Sequence, residues 1–123
     1  MQLEHEKPDT AIYVIHYQPG LLTLSQKKYQ NSVIMTPGIV IQENWLVKSM
    51  NSLNVNQMLD FIEFDAGIYL LGTGSVAQIP SNEVMITFAR LGKSLDFMDS
   101  ASACRTFNIL ANEGRSVVAA IIV

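Results

Sequence analysis

The chain has 123 residues, of which 49% are hydrophobic and 15% are charged, and its formal net charge is −3. This length predicts one domain, residues 1–123, which can bury about two thirds of the surface of the unfolded chain. The eight Lys and Arg residues are spread along the sequence without a dense basic run. Such a distribution argues against a nucleic-acid-binding protein.

The start of the chain and its longest apolar run bear on location. Residues 1–9 carry acidic side chains where a secretory signal would be basic, so we expect a loosely ordered tail and a cytoplasmic protein. The longest apolar run, Val117–Val123, is far shorter than the about 20 residues that a membrane-spanning helix needs. We therefore predict no membrane span and assign this run to a buried strand.

Few residues are available for metal or thiol chemistry. Cys104 is the only cysteine, and His5 and His16 are the only histidines, so we expect neither a metal centre nor another cofactor. Cys104 also falls on the apolar stripe of its predicted helix, together with Phe107, which favours a core residue over a nucleophile. The role of His16 stays open.

The first half of the chain favours β-structure. Pro19–Gly20 and Pro37–Gly38 are typical of turns, because proline presets one turn residue and glycine permits a positive φ at the next. The runs around these pairs alternate or are apolar throughout, which predicts an antiparallel meander. Its strands are predicted at Ala11–Tyr17, Leu22–Leu24, Ser32–Met35 and Ile39–Gln42.

The second half alternates helix and strand. Asn54 is predicted to cap a helix, and Gln57 is placed to complete a capping box with it. Apolar residues then recur at spacings of three and four. Gly92 and Gly114 are predicted to end the two later helices. After the helix that begins at Asn54, the predicted elements are strand Ile68–Leu71, helix Asn82–Leu91, strand Ser94–Met98, helix Ser100–Glu113 and strand Val117–Val123.

These elements predict a layered α/β domain with an added β meander. A β-α-β-α-β series makes right-handed crossovers and places its strands in one largely parallel sheet with helices on the faces. Because the last strand is apolar at almost every position, we place it inside the sheet.

A candidate crevice follows from this topology. Ligands of parallel α/β sheets usually lie beyond the carboxyl ends of the strands, where helix N-termini point. Polar groups follow two of these strands at Gly72–Ser75 and at Asp99–Ser100, and could converge on one crevice that binds a small anion or a partner. The simpler interpretation is a turn without a ligand at the first site and a helix cap at the second.

Arg105 lies on the last predicted helix, and the stability of that helix does not require an arginine there. It lies in the first turns, where a cation opposes the helix dipole, so a binding contact and a solvated charge both stay open. We predict no catalytic residue. The full set of candidate binding residues is Gly72, Thr73, Gly74, Ser75, Asp99, Ser100, Arg105, Asn108 and Arg115.

Trp45 lies in a polar context. A buried tryptophan would need a partner for its indole N–H, whereas an exposed one would indicate a binding surface. Both alternatives stay open.

A set of segments, taken together in this order, forms a specific pattern: Val33–Met35 with Pro37–Gly38, Trp45, Leu70–Gly74 and above all Met98–Leu110 with Glu113–Arg115. In this pattern the sequence resembles a small domain family of unknown activity that includes mitochondrial complex I assembly factor 3 and many bacterial and archaeal single-domain proteins. The resemblance implies three layers around a central mixed, partly parallel sheet. The chain departs from the family pattern at Ser100 and Phe107, where threonine and tyrosine are frequent.

Two functions remain in competition. The resemblance implies a non-enzymatic interaction or assembly domain, with a protein partner and a link to the assembly of a respiratory complex. The alternative is a small-molecule or anion-binding domain, or an enzyme of unknown reaction, that uses the crevice. A homo-oligomer formed through an exposed edge strand also stays open.

Overall fold

The structure is a computed structural model that describes residues 10–123. The expectation of a loosely ordered tail at residues 1–9 lies outside this part of the chain. The strands are β1 (Val14–Gln18), β2 (Leu21–Leu24), β3 (Lys28–Tyr29), β4 (Ser32–Met35), β5 (Val40–Trp45), β6 (Ile68–Gly72), β7 (Leu95–Met98) and β8 (Val117–Ile121). The helices are α1 (Val55–Ile62), α2 (Asn82–Arg90) and α3 (Ser100–Asn112), and a short 3₁₀ turn spans Met50–Ser52.

Two sheets organise the domain. A five-stranded mixed sheet has the order β5-β4-β8-β6-β7, in which β6 runs parallel to both β7 and β8 and β4 runs antiparallel to β5 and β8. A smaller antiparallel sheet has the order β1-β2-β3. The predicted α/β architecture with a mixed central sheet is confirmed.

The predicted meander divides between the two sheets. Its first two strands continue into the short β3, which the sequence pattern did not predict, whereas the β4–β5 hairpin joins the central sheet. The reason lies in β4, whose four residues are all buried. A strand that is buried on both faces needs apolar neighbours, and β4 finds them by pairing with β8.

Strand β8 separates two cores, as its apolar sequence predicts. Val117, Ala119 and Ile121 belong to the core that α3 and the small sheet complete. The alternate residues Val118, Ala120 and Ile122 belong to the core beneath α1 and α2. Because successive side chains point to opposite faces of a strand, this sheet is the middle of three layers.

Strand β1 carries a bulge that interrupts the alternation of its two faces. The pairing with β2 shifts between Val14 and His16. As a result Val14 and Tyr17 are both buried, although strict alternation would put Val14 with His16. The bulge leaves His16 partly exposed, with its Nε2 3.0 Å from Oε1 of Gln18.

The helix ends follow the predicted local signals. Asn54 and Gln57 form a reciprocal capping box at α1, with bonds of 3.1 and 3.0 Å between side chain and backbone N–H. Gly92 and Gly114 follow α2 and α3 with φ values of 68° and 73°, which favour glycine.

Trp45 is a core residue. It is buried at the end of β5, and its indole N–H donates to the carbonyl of Gln57 in α1 at 3.1 Å. This bond satisfies the polar group of the ring and ties α1 to the sheet. An exposed binding role for Trp45 is therefore excluded.

Candidate functional site

Ser100 joins the carboxyl ends of two central strands to α3. Its buried hydroxyl donates to the carbonyl of Ile122 at 2.6 Å and accepts from the N–H of Gly74 at 2.9 Å. Its own N–H donates to the carbonyl of Gly74 at 2.8 Å. Each of these groups finds a partner within the protein, so the Ser100 hydroxyl holds the strand ends together.

Gly72 permits the close approach of α3 to β6. A Cβ at this position would lie 2.8 Å from Oγ of Ser100, 3.0 Å from its Cα and 3.2 Å from Cβ of Ala103. Those separations are shorter than ordinary van der Waals contact. Gly72 is therefore required by packing.

Thr73 anchors the loop that follows β6, here called the 73–81 loop. Its hydroxyl donates to the carbonyl of Val76 at 2.7 Å and accepts from the N–H of Gln78 at 3.2 Å. Gly74 enables the turn with a φ of 102°. The loop is thus fixed from within, although Val76 and Ile79 expose 57% and 79% of their surface.

A depression of about 230 Å³ lies beside this loop, at the carboxyl ends of β6 and β8. We call it the strand-end depression. It is lined by Pro19, Lys48, Ser49, Met50, Asn51, Thr73, Gly74, Ser75, Val76, Gln78, Ile122 and Val123. Among these lining residues Lys48 is the one charged side chain, and none is acidic.

Only part of the predicted set of binding residues lines the depression. Thr73, Gly74 and Ser75 line the depression, while Gly72, Asp99, Ser100, Arg105, Asn108 and Arg115 do not. Thr73, Gly74 and Ser75 line the depression because they follow directly after β6, a central strand of the sheet. Of the residues outside the lining, Ser100 and Asn108 are buried in α3, whereas Arg115 is exposed after its end.

Asp99 caps α3, and Arg105 belongs to the same polar network. The Asp99 carboxylate accepts from the N–H of Ser102 at 2.9 Å and from its hydroxyl at 2.8 Å. The guanidinium of Arg105 donates to the same hydroxyl at 3.1 Å. The pKa of Asp99 is lowered, mainly by the backbone hydrogen bond from Ser102, with smaller contributions from its hydroxyl and from Arg105.

Asn108 and Arg115 both lie outside the lining of the depression, the first as a buried residue and the second as an exposed one. Asn108 is fully buried and bonds to the backbone of Val14. Arg115 follows the last turn of α3, about 20 Å along the axis from the start of this helix. Its guanidinium is exposed and lies 3.8 Å from the carboxylate of Glu113.

Cys104 is a core residue, as predicted. Its side chain is buried, and burial raises the pKa of the thiol to about 12. A thiol of this pKa carries almost no thiolate near neutral pH. The structure therefore provides no activated cysteine at this position.

Residues 10–123 contain neither a cluster of metal-ligating side chains nor a membrane-spanning helix. In this part of the chain, no three or more His, Cys, Asp or Glu residues are close enough to share a metal ion. Nor does any helix in the same range have the length and apolar content to cross a bilayer.

Sequence reasoning missed the residues that complete the depression. Lys48, Ser49 and Asn51 come from the connection between β5 and α1, which carries no recognisable motif. They reach the carboxyl end of β6 only because β5 and β4 add to the far side of β8. The single signal in the sequence is a lysine within a polar connection, which is common on protein surfaces.

The family model described as "Protein of unknown function (DUF498/DUF598)" matches residues 14–122. The chain is 30% identical over 122 residues to the 13 kDa major membrane protein of Francisella tularensis subsp. holarctica (strain LVS), a match that covers 99% of each. It is 28% identical over 122 residues to rat NADH dehydrogenase (ubiquinone) 1 alpha subcomplex assembly factor 3. That match covers 98% of this chain and 64% of the rat protein, so the chain spans less than two thirds of it.

Solved structures share the fold. A Xanthomonas campestris protein studied by NMR is 33% identical, with a TM-score of 0.82 and coverage of 100% of this chain and 92% of that one. A crystal structure from Bordetella parapertussis is 27% identical, with a TM-score of 0.81 and coverage of 93% and 98%. The predicted family resemblance is confirmed by these matches.

Proposed function

The chain belongs to the DUF498/DUF598 family of proteins of unknown function, and from this membership we propose that it is a non-enzymatic accessory domain that binds another protein during complex assembly. The similarity to a mitochondrial assembly factor supports the proposal, because it extends over almost the whole of this chain. We extend the proposal to the assembly of a respiratory complex and to a cytoplasmic location. The link to a respiratory complex rests on the name of that relative.

The observation that carries the proposal is the apolar surface of the 73–81 loop. Val76 and Ile79 are more than half exposed, yet the loop that presents them is anchored by Thr73. Apolar side chains on a fixed loop lose little conformational entropy on binding, which favours association. Burial of such side chains against a partner would remove apolar surface from water, which also favours association.

The state of the polar groups agrees with a non-enzymatic role. The Ser100 hydroxyl bonds to Gly74 and Ile122, and the Cys104 thiol is buried with a raised pKa. The Asp99 carboxylate is engaged by Ser102. These three groups stabilise the fold, and none of them is positioned as a free nucleophile or base.

The proposal is tested by quantitative affinity capture of the full chain at native abundance. We expect a reproducible protein partner for the wild type, and at least a tenfold loss of that partner for the double variant Val76→Ser with Ile79→Ser. Ile109→Ser is the matched control, because Ile109 is an exposed apolar residue on α3, away from the 73–81 loop. Thermal unfolding of each variant establishes that the fold is intact.

Either of two results would reject this function. One is a clean domain with no reproducible partner. The other is a partner that all variants retain equally.

A second candidate function is the binding of a free small anion, favoured by Lys48, which is the one charged side chain in the lining of the depression. A thermal-shift screen of phosphates, nucleotides and small carboxylates tests it. A ligand at one hundred times its dissociation constant should add about 2.7 kcal/mol to stability. The shift should disappear in Lys48→Met and persist in Arg105→Ala, since Arg105 lies outside the depression; no shift in the wild type rejects this function.

A further inference from the structure

We propose that the outer face of α2 binds α2 of a second copy of this chain. The two helices pack antiparallel about a two-fold axis, with Ile86 at the centre and with Glu83 of each copy paired to Arg90 of the other. This inference goes beyond the proposed function and does not depend on it.

Ile86 marks the outer face of α2. Val84 and Phe88 are the buried residues of this helix, and they pack in the core beneath α1 and α2. At 3.6 residues per turn, Ile86 lies about 160° around the helix from each of them. Its side chain is 49% exposed, as this position requires. Ile86 therefore points away from the domain, where a second molecule has access to it.

Two opposite charges lie on one flank of Ile86. Glu83 is in the first turn of α2 and Arg90 is in the last, and both are exposed. Helix geometry places them about 60° and about 40° from Ile86 in the same direction, and about 10 Å apart along the axis. Ion pairs within a helix form at spacings of three or four residues, whereas this spacing is seven. Within residues 10–123, neither side chain forms a salt bridge.

This arrangement of charges is complementary to itself. A two-fold axis midway between Ile86 and Thr87 sets Glu83 of one antiparallel helix level with Arg90 of the other, on the same flank. The same operation pairs the remaining Arg90 with the remaining Glu83. A contact of this kind uses one surface patch on both copies, and complementary charge across it fixes the partner and the orientation.

The other flank of Ile86 is uncharged. It consists of Asn82 and Ala89, which are exposed and short, so two helices can approach to the about 8–10 Å that is usual for packed helices. A parallel pair would set Glu83 and Arg90 against this uncharged flank and leave both without a partner. The antiparallel pair is the arrangement that satisfies both charges.

The size of the surface sets the expected strength. Helix α2 has nine residues and is about 14 Å long. A contact of this length buries less than the about 1,200–2,000 Å² of a standard stable interface. We therefore expect a reversible dimer with a dissociation constant of about 10–100 µM.

The test is sedimentation equilibrium of the full chain from about 10 µM to about 1 mM. We expect a concentration-dependent dimer for the wild type. Ile86→Ser and each of the charge reversals Glu83→Arg and Arg90→Glu should raise the dissociation constant at least tenfold. Ile109→Ser and Glu113→Arg are the matched controls, because both exposed residues belong to α3 or its C-terminal end, on the opposite face of the sheet. They should stay within about threefold of the wild type.

Combining the two reversals separates a specific pair from a general loss. Each single reversal sets like charges against each other, whereas the double variant Glu83→Arg with Arg90→Glu exchanges the charges and should dimerise within about threefold of the wild type. A mixture of the two single variants should also associate, because one copy then has two positive charges on this flank and the other has two negative ones. Glu83 and Arg90 also complement the dipole of α2, so thermal unfolding of each variant establishes that the fold is intact.

Three results would overturn the inference. The first is a wild type that stays monomeric at about 1 mM. The second is a dimer that Ile86→Ser forms equally well, which would place the contact elsewhere, for example on an edge strand. The third is a failure of both the double variant and the mixture to dimerise, which would exclude the antiparallel pairing of Glu83 with Arg90.

Discussion

Asn108 binds both backbone polar groups of Val14. The N–H of Val14 donates to Oδ1 of Asn108 at 2.9 Å, and Nδ2 of Asn108 donates to the carbonyl of Val14 at 2.9 Å. Val14 belongs to β1, an outer strand of the small sheet, and Asn108 belongs to α3. The side-chain amide thus takes the place of a neighbouring strand and fixes the small sheet to the helix.

Asn108→Ala should therefore be strongly destabilising. It would leave the N–H and the carbonyl of Val14 buried without a partner, and each such group costs about 1–3 kcal/mol. The expected loss in the free energy of unfolding is about 2–6 kcal/mol. Urea unfolding followed by the fluorescence of Trp45, the only tryptophan, measures it. Asn112→Ala, an exposed residue at the end of α3, should change stability much less; equal losses would contradict the role of the pair.

This pair shows where sequence reasoning reaches its limit. The bounds of α3 could be predicted, since Asp99 and Gly114 act on their own helix through local geometry. The partner of Asn108 could not be predicted, because Val14 lies 94 positions away in the sequence and the hydrogen bond depends on how two layers pack. Asn108 is a polar residue at the margin of the apolar stripe of α3. Such a position is equally consistent with a binding residue and with a buried amide that stabilises the fold.

Gly72→Ala should be destabilising through overpacking. The new Cβ would lie 2.8 Å from Oγ of Ser100 and 3.0 Å from its Cα, so α3 would have to move away from β6. Insertions of this size cost about 1–3 kcal/mol. Gly67→Ala is the matched control at the other end of β6, where the nearest atom outside its neighbours would be 3.4 Å away.

A double variant gives this prediction a sharper form. Ser100→Ala removes the hydroxyl that the new methyl group meets first, so its combination with Gly72→Ala should cost less than the sum of the two single changes. Additive losses in urea unfolding would show that the two positions are not in steric conflict.

The candidate site was predictable only in part, for a related reason. Thr73–Ser75 could be identified because the carboxyl end of a parallel strand is a known position for ligands. Lys48 could not, because it reaches that position only through the antiparallel addition of β4 and β5 to the sheet. The addition of β4 and β5 to the central sheet thus explains both why the predicted meander is divided and why Lys48 could not be predicted as a lining residue.

Asp99 should make stability depend on pH in the acid range. Its pKa in the folded protein is lowered, mainly by the backbone hydrogen bond from Ser102, relative to about 3.9 in an unfolded chain. The carboxylate therefore stabilises the fold above about pH 4, and this contribution is lost as the pH falls through the lower pKa of the folded state.

Asp99→Asn tests this dependence, because asparagine keeps the cap but removes the charge. We expect it to be less stable than the wild type by about 0.3–1 kcal/mol near pH 7 and to approach the wild type as the pH falls towards 3. Asp96→Asn, an exposed residue on β7, controls for the loss of one negative charge. A difference that stays constant with pH would contradict the assignment.

Cys104 should react with thiol reagents only when the protein opens. Its pKa of about 12 and its complete burial both protect it, so modification of the native protein at pH 8 should be at least about a thousandfold slower than in urea. The rate, followed by release of thionitrobenzoate from an aromatic disulfide reagent, then measures the population of the open state. Asn108→Ala should accelerate modification by the factor that corresponds to its loss of stability, since both report the same opening. Rapid modification of the wild type in the absence of denaturant would show instead that α3 separates from β6 without unfolding of the domain.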